Sequence, residues 1–207
     1  MSLVIDVVSD FVCPWCWIGK TGLDKLRAER PDIVTRWHPY LLNPDVPRAG
    51  VDRREMSIAK FGSVERAREL AKGVEAAAAE AGLIMDLSRV KRVPDTRAAH
   101  CLMRWAQGRG VGDAVADALF RAHFDEGRDI GDVATLTEIG VAAGLDAAVL
   151  ADLFATEADR AVVEHQAGRA RHMGVSGVPT MVFAGKFAVV GAQPVEKLRK
   201  AADAALA

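Results

Sequence analysis

Cys13 and Cys16 stand three positions apart, with Pro14 and Trp15 between them, and no other pair of cysteines in the chain is close in sequence. A thiol reacts as its thiolate. Free cysteine ionises near pKa of about 8.5, and a helix N-terminus or a C-x-x-C arrangement lowers that value. Pro14 suits the first turn of a helix, where its missing N–H has no intrahelical partner. Cys13 would then lie where unpaired amides and the helix dipole favour negative charge. The expectation is that Cys13 is the exposed nucleophile. Cys16, one turn later, is the more buried thiol that attacks Cys13 and resolves a mixed disulfide.

A C-x-x-C pair also has two blander uses. A structural zinc site wants four ligands. The remaining cysteine, Cys101, and the dispersed histidines His38, His100, His123, His165 and His172 offer no ligand spacing, so no metal is expected. An inert buried pair is disfavoured by proline directly after the first cysteine at a helix start. A second signal lies far downstream, in Ser176-Gly177-Val178-Pro179-Thr180. Pro179 cannot donate to a sheet and belongs at a strand start or tight turn.

Elements of the right kind flank both signals. Leu3 to Val8 is apolar and β-branched, as in a buried strand. The stretch from Trp17 to Arg30 carries Ile18, Leu23 and Leu26 among charges, as on an amphipathic helix that Pro31 stops. Ile33 to His38 reads as a second strand, so Cys13 falls at the carboxyl end of the first strand, where open α/β sheets place their chemistry. Residues 43 to 55 read as a loop. From about residue 56 to 173 the text is helical, with breaks at Gly82, Val93-Pro94-Asp95, Gly108 to Gly112, Gly127 to Gly131 and Gly144, giving five or six helices. Asp95-Thr96 offers an N-cap for the helix bearing His100, and Thr156 to Met173 reads as the last long one. Pro179 to Phe183 and Lys186 to Val190 form a hairpin about Ala184-Gly185, and a closing helix runs from Val195 to Leu206.

Composition narrows the classes. With 207 residues, 50% apolar, the chain can bury a large core. Twenty-seven basic and 28 acidic residues leave a formal charge of −1, with no long run of one sign, so nucleic acid and anionic membrane surfaces are not expected partners. No apolar run nears the roughly 18 residues of a membrane span. The start of the chain lacks a basic segment and its apolar run is broken at Asp6, which reads as a strand and not a secretory signal; the expected location is cytoplasmic. Three cysteines in such a compartment point to redox chemistry before structural disulfides.

Taken together, Cys13-Pro14-Trp15-Cys16-Trp17-Ile18-Gly19 and Gly174-Val175-Ser176-Gly177-Val178-Pro179-Thr180 resemble the DsbA-like thioredoxin-fold family, and most closely its FrnE-like branch. Leu42-Asn43-Pro44-Asp45, Asp129-Ile130-Gly131-Asp132 and Gly191-Ala192-Gln193-Pro194 resemble that branch more weakly. The resemblance implies an α/β class, a thioredoxin fold with a large all-helical insertion domain: residues 1–42 with 157–207 form the thioredoxin-like domain, and residues 43–156 the insertion. It implies a cis Val178–Pro179 peptide against the cysteines. Val178 would offer backbone to an extended substrate, and Pro179 would keep metals and side chains off the thiolate. The implied activity is thiol–disulfide exchange or isomerisation on a protein or small molecule carrying a thiol or disulfide. No tightly bound cofactor is implied, with glutathione left open as redox partner or co-substrate and a homodimer left open as the assembly. Related kappa-class glutathione transferases and 2-hydroxychromene-2-carboxylate isomerases carry serine where Cys13 stands. A glutathione-dependent isomerase or transferase acting on a small aromatic molecule is therefore the alternative.

Of the other residues, Trp15 is expected to line the substrate surface and Trp17 to pack. Cys101 reads as a core thiol. His100 is a candidate for aiding proton transfer at the cysteines, although a structural role is favoured, and Asn43 reads as a turn residue before Pro44.

Overall fold

The computed structural model describes residues 2–206. The chain begins with β1 (Leu3–Ser9), α1 (Pro14–Glu29) and β2 (Ile33–Pro39). It then passes through β3 (Val51–Asp52), α2 (Arg53–Phe61), α3 (Val64–Ala81), β4 (Arg92–Val93), α4 (Arg97–Gly108), α5 (Gly112–Phe124), α6 (Val133–Ala142) and α7 (Ala147–Phe154). α8 (Ala158–His172), β5 (Thr180–Phe183), β6 (Phe187–Val190) and α9 (Val195–Leu206) complete it.

Four strands form the main sheet in the order β2-β1-β5-β6. β1 runs parallel to β2, with Val8 opposite His38, and antiparallel to β5, with Val8 opposite Thr180. This register places the residue before β5, Pro179, opposite the end of β1, where the chain turns toward Cys13. The β5–β6 hairpin closes through Ala184 (φ 49°) and Gly185 (φ 69°), and Lys186 N–H donates to the Phe183 carbonyl at 2.9 Å. Two successive left-handed residues make the turn whose twist matches paired strands. The element order and sheet are those of the expected α/β thioredoxin fold interrupted by helices.

Helix ends follow local chemistry. Arg30, before Pro31, sits at φ −129° and ψ 80°, outside the helical region that a following proline disfavours. Asp132 caps α6 by accepting from the Thr135 amide at 2.9 Å, while Asp129 accepts from Gly131 N–H at 2.8 Å. The Asp129-Ile130-Gly131-Asp132 motif is thus a turn followed by a helix cap.

Three local expectations are revised. The helical region contains seven helices, because Gly62 (φ 86°) ends α2 and the Ser63 hydroxyl starts α3 by accepting from Arg66 N–H, while the break between α7 and α8 falls where the last long helix is expected to start. The loop of residues 43 to 55 includes β3, which pairs with β4 through only two residues on each side. Thr96 does not cap α4 with its side chain. Buried Asp95 instead accepts from Arg97 N–H at 3.2 Å and from the Arg97 guanidinium at 2.8 Å, and also pairs with Arg160.

A single apolar cluster runs from Leu3, Ile5 and Val7 of β1 through Leu23 and Leu26 of α1 to Leu102, Leu119, Phe120 and Leu136 of the helical region. Burial of such side chains stabilises by about 1.5–3 kcal/mol each. Lys20 of α1, only 2% exposed, reaches Asp24 at 2.7 Å and Asp117 of α5 at 2.6 Å. A lysine this buried is tolerable because it is paired twice, and it fixes the cysteine-bearing helix to α5.

Candidate active site

Cys13 occupies the N-cap of α1 at φ −95° and ψ 111°, and Pro14 begins the helix. Most N-caps use a side-chain oxygen to satisfy the first amides. Here a sulfur stands in that place. Cys13 N–H donates to the Asp10 carbonyl at 3.0 Å, and Cys16 N–H donates to the Cys13 carbonyl at 3.0 Å, so the turn leading into α1 is pinned at both ends. Both cysteines are free thiols.

The two sulfurs are unequal. A hydrogen bond from the Cys16 thiol holds Cys13 below the usual thiol range. The Cys16 and Trp15 amides, aimed at the Cys13 sulfur without the close geometry of an oxygen cap, act in the same direction, against burial and the charge of Asp10. Burial pushes Cys16 well above the usual range, and its hydrogen bond to Cys13 and the charge there add to the effect. The Ser9 hydroxyl lies near enough to Cys16 to favour its thiolate, though short of full hydrogen-bond geometry.

Cys13 is less exposed than the sequence led one to expect: 5%, against 2% for Cys16. Val178 and Pro179 lie over it. The Cys13 thiol donates to the Val178 carbonyl at 3.6 Å, and the Val178–Pro179 peptide is cis. Gly191 N–H donates to the Pro179 carbonyl at 2.8 Å and the Thr180 hydroxyl donates to the Gly177 carbonyl at 2.7 Å, which fixes the loop on both sides. Gly19 permits α1 to approach it, because a Cβ there would come within 2.8 Å of Pro179 Cγ.

Around this pair, Trp15 is 43% exposed beside the cysteines, whereas Trp17 is buried and stacks on Phe120 and Phe124. Asn43 makes a turn, its carbonyl accepting from Val46 N–H at 3.2 Å. Cys101 is buried in the helical region, where desolvation pushes its thiol up to about 12. Cys13, Cys16, Val178 and Pro179 are therefore brought together across the fold.

Sequence reasoning passed over Asp10 and His123 and gave His100 little weight. Asp10 is fully buried just before Cys13; one carboxylate oxygen accepts from Leu42 N–H at 2.7 Å. The other faces Nε2 of buried His100 at 3.5 Å. His123 is also buried, and desolvation lowers it to about 4. Only the polar character of Asp10, so close to an apolar strand and a cysteine pair, could have marked it.

A strand thus ends at two free thiols in the first turn of a helix, with the Val178–Pro179 loop against the first of them. The DsbA-like thioredoxin domain model matches residues 4–203, and the chain belongs to that family. It is 31% identical to a probable DsbA oxidoreductase from Streptomyces coelicolor, whose crystal structure superposes with a TM-score of 0.89 over 99% of this chain and 90% of that one. It is 25% identical over 205 residues to YwbO of Bacillus subtilis (strain 168), itself uncharacterized, covering 97% of this chain and 96% of the relative. The fold is shared with a cytosolic disulfide reductase, DsbM, from Pseudomonas aeruginosa with GSH, at 20% identity, a TM-score of 0.63 and coverage of 98% and 95%. Among the described residues no helix is long and apolar enough to cross a membrane.

Proposed function

We propose that the protein is a dithiol–disulfide exchange enzyme of the FrnE-like branch in which Cys13 attacks and Cys16 resolves. The observation that carries this reading is the seating of two free thiols within one helical turn, Cys13 at the start of α1 against the Val178 carbonyl and Cys16 buried, an arrangement that displaces Cys13 downward and Cys16 upward. Thiolate character selects the attacking sulfur. The Cys13 thiolate attacks a substrate disulfide, one substrate sulfur leaves as thiolate, and a mixed disulfide forms. Cys16 then attacks Cys13, the second substrate sulfur leaves, and the pair is oxidised by two electrons. The reverse sequence oxidises a substrate dithiol.

In this reading Pro14 and the exposed Trp15 shape the rim. Val178 offers its carbonyl, already facing the thiol, to an extended substrate, and Pro179 shields the sulfur. The substrate is a protein or small molecule bearing a thiol or disulfide. No resident cofactor is needed; glutathione serves as redox partner, a role supported by the GSH bound to the similarly folded reductase. The paired thiols favour exchange over glutathione-dependent isomerisation or transfer, which would need no Cys16. Residues 1–42 and 157–207 act as the redox unit and residues 43–156 as the helical unit, joined by Lys20–Asp117 and by Arg27–Asp113 at 2.8 Å.

Thiol trapping across glutathione ratios tests the proposal. Wild type should show one two-electron transition, which Cys13→Ser abolishes. Absence of that transition in wild type sinks the reading.

A further inference from the structure

A cavity of about 690 Å³ opens between α2, α3 and residues 86–91, within the size range of small-molecule sites. Cys13, Cys16, Val178 and Pro179 do not line it. The α2–α3 hairpin beside it is poorly buried for its length: α2 buries no residue, and α3 buries Ala78 alone. Yet Val64, Ala67 and Ala71 of α3 line the cavity, at the spacing of one helical face. Leu87 and Val90, both buried, form the wall opposite.

The charges around this cavity are unevenly matched. Arg53 is half-buried and fixed at both ends: its amide donates to the Lys91 carbonyl at 2.9 Å, and its Nη1 donates to the Val90 carbonyl at 3.3 Å. Burial works against its charge, and Glu75 and Asp86 offset this only from beyond ion-pair distance. Both of those carboxylates are engaged elsewhere, Glu75 by Leu87 N–H at 2.8 Å and Asp86 by Ser88 N–H at 2.9 Å. Asp52 caps α2, which leaves exposed Glu65 as the free carboxylate of the lining, against five cations. Among the described residues none of Arg53, Arg68 and Lys72 has an ion-pair partner. Arg68 and Lys72 also stand one turn apart on α3, where like charges repel. Other covered cations in the chain are paired twice, Lys20 with Asp24 and Asp117, and Arg97 with Asp95 and Glu164. Arg53 departs from that pattern at the wall of an open cavity.

We propose that this cavity binds a small organic oxyanion, a carboxylate, sulfonate or phosphate carried on a compact apolar body. Arg53 is the anchoring donor. Its planar fork presents five N–H donors suited to an oxyanion, and only one of them is directed at the protein. Arg68 and Lys72 supply further positive charge from α3, and the row Val64, Ala67 and Ala71 packs on the apolar body. The bound anion gives Arg53 its missing partner and covers the inner face of the hairpin. The site stands apart from the exchange reading and does not depend on it.

The test is titration of the intact protein with naphthalenesulfonate, followed by calorimetry and by amide NMR shifts, with neutral naphthalenesulfonamide as the matched body. The sulfonate should bind saturably, with shifts centred on Arg53, Ala71 and Leu87. A hydrogen bond between charged groups contributes about ten- to a hundredfold in affinity, so Arg53→Gln should weaken the sulfonate at least about tenfold and bring it to the level of the sulfonamide. Arg53→Lys should recover part of the loss. Arg68→Gln, at an exposed helix position, should weaken binding by less, and it carries the test if Arg53→Gln does not fold. Arg66→Gln, on the same helix but outside the cavity, should change nothing. Absence of saturable binding, equal affinity for the sulfonamide, or equal effects of Arg66→Gln and Arg68→Gln would each overturn the proposal. Shifts centred on Trp15 and Val178 would overturn it too, by assigning the anion to the redox site.

Discussion

The Cys13 thiol donates to the Val178 carbonyl at 3.6 Å, joining residues 165 positions apart. The contact follows from the sheet register, in which Val8 faces Thr180, so that the end of β1 and the start of β5 arrive side by side. It places the Val178 carbonyl beside the more acidic of the two thiols. In the proposed exchange, an incoming extended chain takes over that carbonyl while its sulfur meets Cys13.

Gly19 sets the distance between α1 and this loop. A methyl group at 2.8 Å from Pro179 Cγ has to be relieved by movement of one or the other. Overpacking of this kind costs about 1–3 kcal/mol. Gly19→Ala is expected to lower stability by that order and to slow exchange by more than the stability loss explains. Denaturant unfolding and single-turnover exchange on the same preparation check this; an unchanged exchange rate would show that the loop position does not matter.

Cys101 should be a bystander. Its thiol is pushed up to about 12 by burial, so at pH 8 it remains protonated. Iodoacetamide at that pH, followed by peptide mass analysis, should label Cys13 first and leave Cys101 unlabelled in the folded protein. Cys101→Ala should keep the redox transition of the pair.

His123 makes stability pH-dependent. Burial lowers its folded pKa to about 4, from 6.5 for an ordinary histidine. Between those values the unfolded chain binds a proton that the folded chain does not, so folding is fully favoured above about 6.5 and is weakened as pH falls toward 4. The full loss is up to about 3 kcal/mol. Chemical denaturation from pH 7 to 4 should show this slope in wild type and a flatter one in His123→Gln.

Much of the fold and half of the site could be read from residue order. Cys13, Pro14 and Cys16 follow a β-branched run, and their chemistry is local: a proline that starts a helix and sulfurs one turn apart. The downstream hairpin announced itself through Gly185 and the apolar runs around it. What stayed hidden depends on distance. Asp10, His100 and His123 acquire meaning only when β1, α4 and α5 pack, which no spacing encodes. Gly19 looked like one more helical glycine until Pro179 was found against it. The burial of Cys13 was missed for the same reason, since the residues covering it come from the other end of the chain. The β3–β4 pairing escaped because two residues are too few to show a period, and the α2–α3 break because helical composition continues across Gly62.

The central claim is that Cys13 attacks and Cys16 resolves. It is tested most directly by intact mass after mixing each single cysteine variant with oxidised glutathione at neutral pH. Cys16→Ser should accumulate a stable glutathione adduct mapped to Cys13, while Cys13→Ser stays largely unmodified on the same timescale. Equal modification of both variants, or an adduct formed faster on Cys16, would contradict the account.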